Sequence, residues 1–212
     1  MLRFLFQGDS ITDASRVDAD DGGVGSCLFG YGYPLLLASD LLKNKKGEIE
    51  FINRGVSGDR IVDLYARIKD DIINLKPDVM SILIGVNDVW HELSCQNGVS
   101  ADKFEKIYGM LIEEIKEALP DIKIIILEPF VLKGTGTEMY YDEFRKEVAK
   151  RSAAAKNIAD KYNLHFVPLQ RKFDEASSDG DTTHWVTDGV HPNAAGHQLI
   201  KEELAKKVYE II

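Results

Sequence analysis

The chain has 212 residues, 44% hydrophobic and 29% charged, with 35 Asp and Glu against 26 Lys and Arg for a formal net charge of −9. A chain of this size and balance buries a real core unaided, which excludes intrinsic disorder, collagen-like repeats and disulfide scaffolds. The acidic surface repels phosphate backbones and anionic lipid, so neither nucleic acid nor a membrane is an expected partner, and no apolar run reaches the ~18 residues of a membrane helix.

Leu2 to Phe6 reads as a first strand ending at Gly8. Its apolar stretch is too short for a secretory signal, so a cytoplasmic chain is expected. Cys27 and Cys95 form no C-x-x-C pair. Free thiols in a reducing compartment are the expectation, with a single disulfide left open. Tyr33 to Leu42 reads as a helix with Pro34 in its first turn, and Ile49 to Asn53 as the second strand. Ile61, Leu64, Ile68, Ile72 and Leu75 fall three or four apart and predict one helix, stopped by Pro77.

Val79 to Ile84 is a third strand, apolar nearly throughout, as burial on both faces requires. Ser100 is placed to cap a helix with Phe104, Ile107, Leu111, Ile115 and Leu119 on its face, and Pro120 closes it. Ile122 to Leu127 is the fourth strand, Asp142 to Tyr162 a long helix, His165 to Val167 a short fifth strand, and Ala194 to Ile211 the last helix. Long loops are expected at Ile11–Gly32, Val86–Gly98, Phe130–Tyr141 and Arg171–Asn193. Strands alternating with helices predict an α/β chain, one domain over residues 1–212, with a five-stranded parallel sheet covered on both faces.

Ligands of open parallel sheets bind outside the carboxyl ends of the strands. There the sequence delivers Gly8-Asp9-Ser10-Ile11-Thr12, then Gly55-Val56-Ser57-Gly58-Asp59-Arg60, then Gly85-Val86-Asn87-Asp88, and finally Asp188-Gly189-Val190-His191-Pro192. This set fits acyl transfer. A serine hydroxyl needs a base, which His191 can supply to Ser10, and Asp188 can hold the other imidazole nitrogen. A tetrahedral intermediate needs donors for its oxyanion: the N–H groups of Ser10 and Gly58 and the amide of Asn87. Glycine at position 58 is read as allowing close backbone approach.

These four ordered blocks, spanning nearly the whole chain, resemble the SGNH (GDSL-type) hydrolase family, with Ile11 standing where the family often has Leu. The resemblance implies a three-layer α/β/α sandwich with a flavodoxin-like sheet, and ester hydrolysis without a metal or organic cofactor. It makes Ser10 the nucleophile, Asp188 and His191 the other triad members, and Ser10, Gly58 and Asn87 the oxyanion hole. Gly8-Asp9-Ser10-Ile11-Thr12-Asp13, Gly30-Tyr31-Gly32-Tyr33 and Gly85-Val86-Asn87-Asp88-Val89-Trp90 further resemble bacterial intracellular acetyl-xylooligosaccharide esterases. That implies an acylated sugar as substrate and allows a homo-oligomer. A short-chain acyl thioesterase or lysophospholipase on the same scaffold, and a non-catalytic sugar-binding derivative, stand as alternatives.

His184, Asp188, His191 and His197 fit no compact zinc spacing, and two of them already have roles. Ser57 lacks the final glycine of a G-x-S-x-G elbow and reads as a turn residue. Asp88 has a capping reading, and Arg60 reads as paired with nearby acids. Asp9 adjoins the nucleophile and is read either as a substrate contact or as a hydrogen-bond partner of the neighbouring turns. Tyr31, Tyr33, Trp90 and Trp185 lie near the blocks, where aromatic faces could stack on a sugar.

Overall fold

The computed structural model describes residues 1–45 and 47–212. Among these residues β1 (Leu2–Gly8), β2 (Ile49–Gly55), β3 (Val79–Leu83), β4 (Lys123–Leu127) and β5 (His165–Val167) form one all-parallel sheet in the order β2-β1-β3-β4-β5. Side chains alternate between faces along each strand. β1 thus sends Phe4 and Phe6 to one core and Leu5 to the other, and β4 divides Ile125 and Leu127 from Ile124 and Ile126.

Helices cover both faces. On one, α2 (Tyr33–Asn44) and α9 (Ala194–Ile211) contribute Leu37, Leu41, Ile200 and Leu204. On the other, α3 (Ile61–Ala66) and α6 (Ala101–Ala118) contribute Leu64, Phe104, Leu111 and Ile115, while α7 (Tyr141–Lys161) adds Ala155 and Ile158. This is the three-layer sandwich, with a parallel sheet covered on both faces, that the sequence pattern predicts, and it has the flavodoxin-like strand order that the family resemblance implies. The short helices α1 (Ser10–Asp13), α4 (Ile68–Asp71), α5 (Asn87–Cys95) and α8 (Gln170–Ala176) complete the set. Chain direction across the sheet reverses between β1 and β3, and a crevice at such a switch point is where this architecture binds ligands. Ser10 follows β1 there and Asn87 follows β3.

Three expectations are corrected. The single helix over Ile61–Leu75 is broken at Arg67 and at Ile72. The Asp71 carbonyl, which an unbroken helix would satisfy internally, instead accepts the buried Gln7 amide at 2.7 Å. Arg67 meanwhile reaches away to the Arg54 carbonyl and the Asp59 and Asp71 carboxylates. The expected loops at Val86–Gly98 and Arg171–Asn193 contain α5 and most of α8. Ser100 stands at the N-cap of α6, but its side chain makes no capping bond among the described residues.

Candidate active site

Asp9 is the N-cap of α1, its Oδ1 accepting the Ile11 N–H at 3.0 Å. This turn presents Ser10 directly after β1. The Ser10 hydroxyl lies 2.8 Å from His191 Nε2, and His191 Nδ1 lies 2.7 Å from Asp188 Oδ2. A proton on Nδ1, shared with the carboxylate, leaves Nε2 bare to accept from Ser10. Asp188 Oδ1 accepts the N–H groups of Val190 at 2.9 Å and His191 at 2.8 Å, so one turn of backbone fixes the aspartate and the ring together.

Burial pushes the Asp188 carboxyl up, but the hydrogen bonds from the His191 ring and from the His191 and Val190 N–H groups outweigh it and hold the group at about 2. The hydrogen bond to Asp188 raises His191 above the ordinary imidazole value, against the opposing effect of its own burial.

The loop after β2 brings Gly58 to the same sheet edge. Its φ of +87° is what demands glycine, because a Cβ there would meet nothing within 4 Å. Conformation is thus a second reason for glycine here, beside the close approach to an oxyanion read from the sequence. Among the described residues, neither the Gly58 nor the Ser10 N–H donates to a turn or loop carbonyl. Asn87 opens α5 and gives one amide hydrogen to the Asp59 carbonyl at 3.1 Å, which leaves a second donor on the same nitrogen.

Of the aromatic candidates, Trp90 comes to the site: its ring lies 5.8 Å from that of His191 and 5.8 Å from Phe144. A cavity of about 200 Å³ opens beside it, lined by Leu93, Thr135, Tyr140 and Phe144. Tyr31 is 65% exposed and stands edge-on to His197, while Trp185 packs half-buried against His184 and the core. Tyr33 is a core residue, its hydroxyl 2.9 Å from Thr12 Oγ1. Asp9 is only 1% exposed and caps α1, which matches the second of its two readings, a hydrogen-bond partner of the neighbouring turn, rather than a substrate contact.

Arg60 pairs with Asp63, and Ser57 sits in a turn bonded to Asp13. His197 accepts the Tyr33 N–H, and Cys27 and Cys95 are exposed free thiols. A larger cavity of about 810 Å³ lies at the head of α6, between Arg60, Lys103 and Arg151, and no triad residue lines it.

One support was not anticipated. The loop after β4 cradles the Asp188 turn: Gly136 N–H donates to the Asp188 carbonyl at 2.9 Å and Leu132 N–H to the Gly189 carbonyl at 2.8 Å. A Cβ on Gly134 would lie 2.3 Å from both Asp188 C and Gly189 N. The string Gly134-Thr135-Gly136-Thr137 is the one signal that could have marked it.

Residues 6–199 match the model of the GDSL-like Lipase/Acylhydrolase family. The chain is 33% identical over 213 residues to an acetylxylan esterase from Geobacillus stearothermophilus, covering 97% of this chain and 93% of that one. Crystal structures agree. An acetylxylan esterase from Geobacillus stearothermophilus superposes with a TM-score of 0.86 at 31% identity, over 98% of this chain and 94% of the other. A protein from Parabacteroides merdae named a GDSL-like lipase gives 0.90 at 35% identity, over 97% and 94% of the two chains.

Proposed function

The chain belongs to the GDSL-like lipase/acylhydrolase family, and from that premise we propose that it is a serine esterase removing acetyl groups from acetylated carbohydrates, xylo-oligosaccharides first among them. The carboxylic ester hydrolase class follows from the family and from the acetylxylan esterase relative. The observation that carries the reading is the line Ser10 Oγ, His191, Asp188, with contacts of 2.8 and 2.7 Å.

In this reading Ser10 Oγ attacks the acetyl carbonyl carbon as His191 Nε2 takes its proton. The carbonyl oxygen becomes an oxyanion, met by the N–H groups of Ser10 and Gly58 and the free amide hydrogen of Asn87. Collapse of the intermediate expels the sugar oxygen, which His191 protonates. Water then gives a proton to the same nitrogen and attacks the acetyl carbon, and the second intermediate collapses with cleavage of the Ser10 Oγ–C bond, His191 returning its proton to Oγ as acetate leaves. Asp188 stays ionised throughout, as its position near 2 allows. The reading assigns the departing sugar to the face of Trp90, whose ring lies 5.8 Å from that of His191. The same proposal places the chain in the cytoplasm, which its two exposed free thiols suit. Among the described residues no helix is long and apolar enough to cross a membrane.

The test is acetate release from acetylated xylo-oligosaccharides, beside acetyl and octanoyl esters of one common leaving group. Turnover of the sugar esters, preference for acetyl, and a loss of roughly 10⁴-fold or more in Ser10→Ala at unchanged thermal midpoint are expected. Preference for octanoyl would move the chain to a lipid or thioester substrate, and near-normal turnover in Ser10→Ala would remove the nucleophile.

A further inference from the structure

Two consecutive residues at the head of α5 reach the same three-residue stretch after β2. Asn87 Nδ2 donates to the Asp59 carbonyl at 3.1 Å, and the Asp88 carboxyl accepts the Ile61 N–H, both oxygens standing 3.2 Å from that nitrogen. Ile61 is the first residue of α3, where a helix leaves its N–H groups without internal partners. A cap side chain accepts from the second or third helical N–H rather than this first one, and Arg60 at the cap position has donors only. The acceptor therefore comes from 27 positions away in sequence.

Asp88 is also costly where it stands. It is 0% exposed, and burial above all pushes its carboxyl up to about 7, the Ile61 N–H and Arg151 working the other way and Asp9 adding to the rise. Its backbone carbonyl takes the Val99 N–H at 2.9 Å, and Arg151 on α7 donates to the Val99 carbonyl, so the residue is fixed at its backbone as well as at its carboxyl. Polar groups placed at such cost are characteristic of functional surroundings.

We infer that Asp88 is a positioning residue for ester hydrolysis: by holding the Ile61 N–H it clamps the Gly58–Ile61 segment to the head of α5. The clamp fixes the distance between two donors that approach the oxyanion from different loops, the Gly58 N–H and the Asn87 amide. Asp88 touches no substrate. Either half of the oxyanion hole could form without it, but the two would not keep register, and preorganisation is what makes such donors effective. This rests on the oxyanion roles proposed for Gly58 and Asn87.

The experiment is a double-mutant cycle on the whole chain with p-nitrophenyl acetate, measuring kcat, KM and thermal midpoint. Asp88→Ala should lower kcat by about 10- to 100-fold, short of the loss expected for deleting a donor outright, with KM little changed. Asp88→Ser, too short to reach Ile61, should do the same and serves if the alanine variant does not fold. Asp88→Asn retains an acceptor for the Ile61 N–H and should recover most of the rate. In an Asn87→Ala background the Asp88→Ala loss should shrink markedly, since one of the two donors it aligns is gone.

Folded Asp88→Ala and Asp88→Ser variants with wild-type kcat, a defect confined to KM, an Asp88→Asn variant as slow as Asp88→Ala, or losses that multiply in the double variant would each overturn the inference. If Asn87→Ala alone leaves kcat intact, the oxyanion reading itself fails. A slow Asn87→Ala beside fast Asp88 variants removes the clamp alone.

Discussion

His191 is tied twice to Asp188: its ring Nδ1 stands 2.7 Å from Oδ2 and its backbone N–H 2.8 Å from Oδ1. Ring and backbone therefore cannot move independently of the carboxylate. The pairing also decides how activity depends on pH.

The base must be neutral to accept the Ser10 proton, and the hydrogen bond to Asp188 raises His191 above the ordinary value of 6.5. Activity should thus climb with pH along a limb lying above that value, and fall as the ring is protonated below it. Asp188→Asn removes the carboxylate that favours the charged ring. The limb should move to lower pH while the plateau drops by about 10⁴-fold, as expected for a misoriented base. A pH profile of kcat/KM for p-nitrophenyl acetate measures both. A limb that stays in place in Asp188→Asn would show that another group titrates.

The sheet and the segments that meet at its edge were legible because each is local. A strand buried on both faces is a run such as Ile124-Ile125-Ile126-Leu127, and the blocks around Ser10, Gly58 and Asn87 directly follow strands. The breaks at Arg67 and Ile72 were not legible, because the helical spacing of the isoleucines is real and what opposes it comes from elsewhere. Gln7 on β1 takes the Asp71 carbonyl across 64 positions. Helix α5 was hidden by its composition: only Val89 among its apolar residues is fully buried, so it carries no long apolar stripe. The Gly134 loop and the Asp88 clamp act through backbone atoms of distant segments, and no periodicity reports that.

The Gly134 loop should matter to catalysis although none of its residues belongs to the triad. A methyl at Gly134 would sit 2.3 Å from backbone atoms of Asp188 and Gly189, which cannot swing aside as a side chain would. Gly134→Ala should displace the turn carrying the aspartate. A shift near 1 Å in a catalytic group costs about 10²-fold, so kcat should fall by that order with a lowered thermal midpoint. Normal kcat in the folded variant would mean that the turn is held from the α9 side alone.

Gly58→Ala tests conformation rather than space. With φ at +87° and nothing within 4 Å of the added Cβ, the substitution meets backbone strain of about 1–2 kcal/mol and no clash. The N–H is retained. Stability should fall by that amount in denaturant titration, and kcat should fall less than in Asn87→Ala, which deletes a donor. A larger kcat loss than Asn87→Ala would mean that the loop relaxes away from φ > 0 and withdraws its N–H.

Asp9 links the nucleophile's turn to stability. Burial, with a smaller push from Asp59, raises its carboxyl from 3.8 to about 7, while the Ile11 N–H and His191 pull down. Its Oδ2 has no hydrogen-bond partner among the described residues. A folded value above the unfolded one means that the native state holds the extra proton between these limits. The stabilising contribution is complete below pH 3.8 and is lost as pH rises through about 7. Asp9→Asn keeps an oxygen to cap α1 but has no charge to bury. Its thermal midpoint should therefore gain on wild type with rising pH, and exceed it most clearly above about pH 8. A difference between the two that stays constant from about pH 5 to about pH 8.5 would mean that Asp9 is ionised throughout, and that the Ile11 N–H and His191 outweigh its burial.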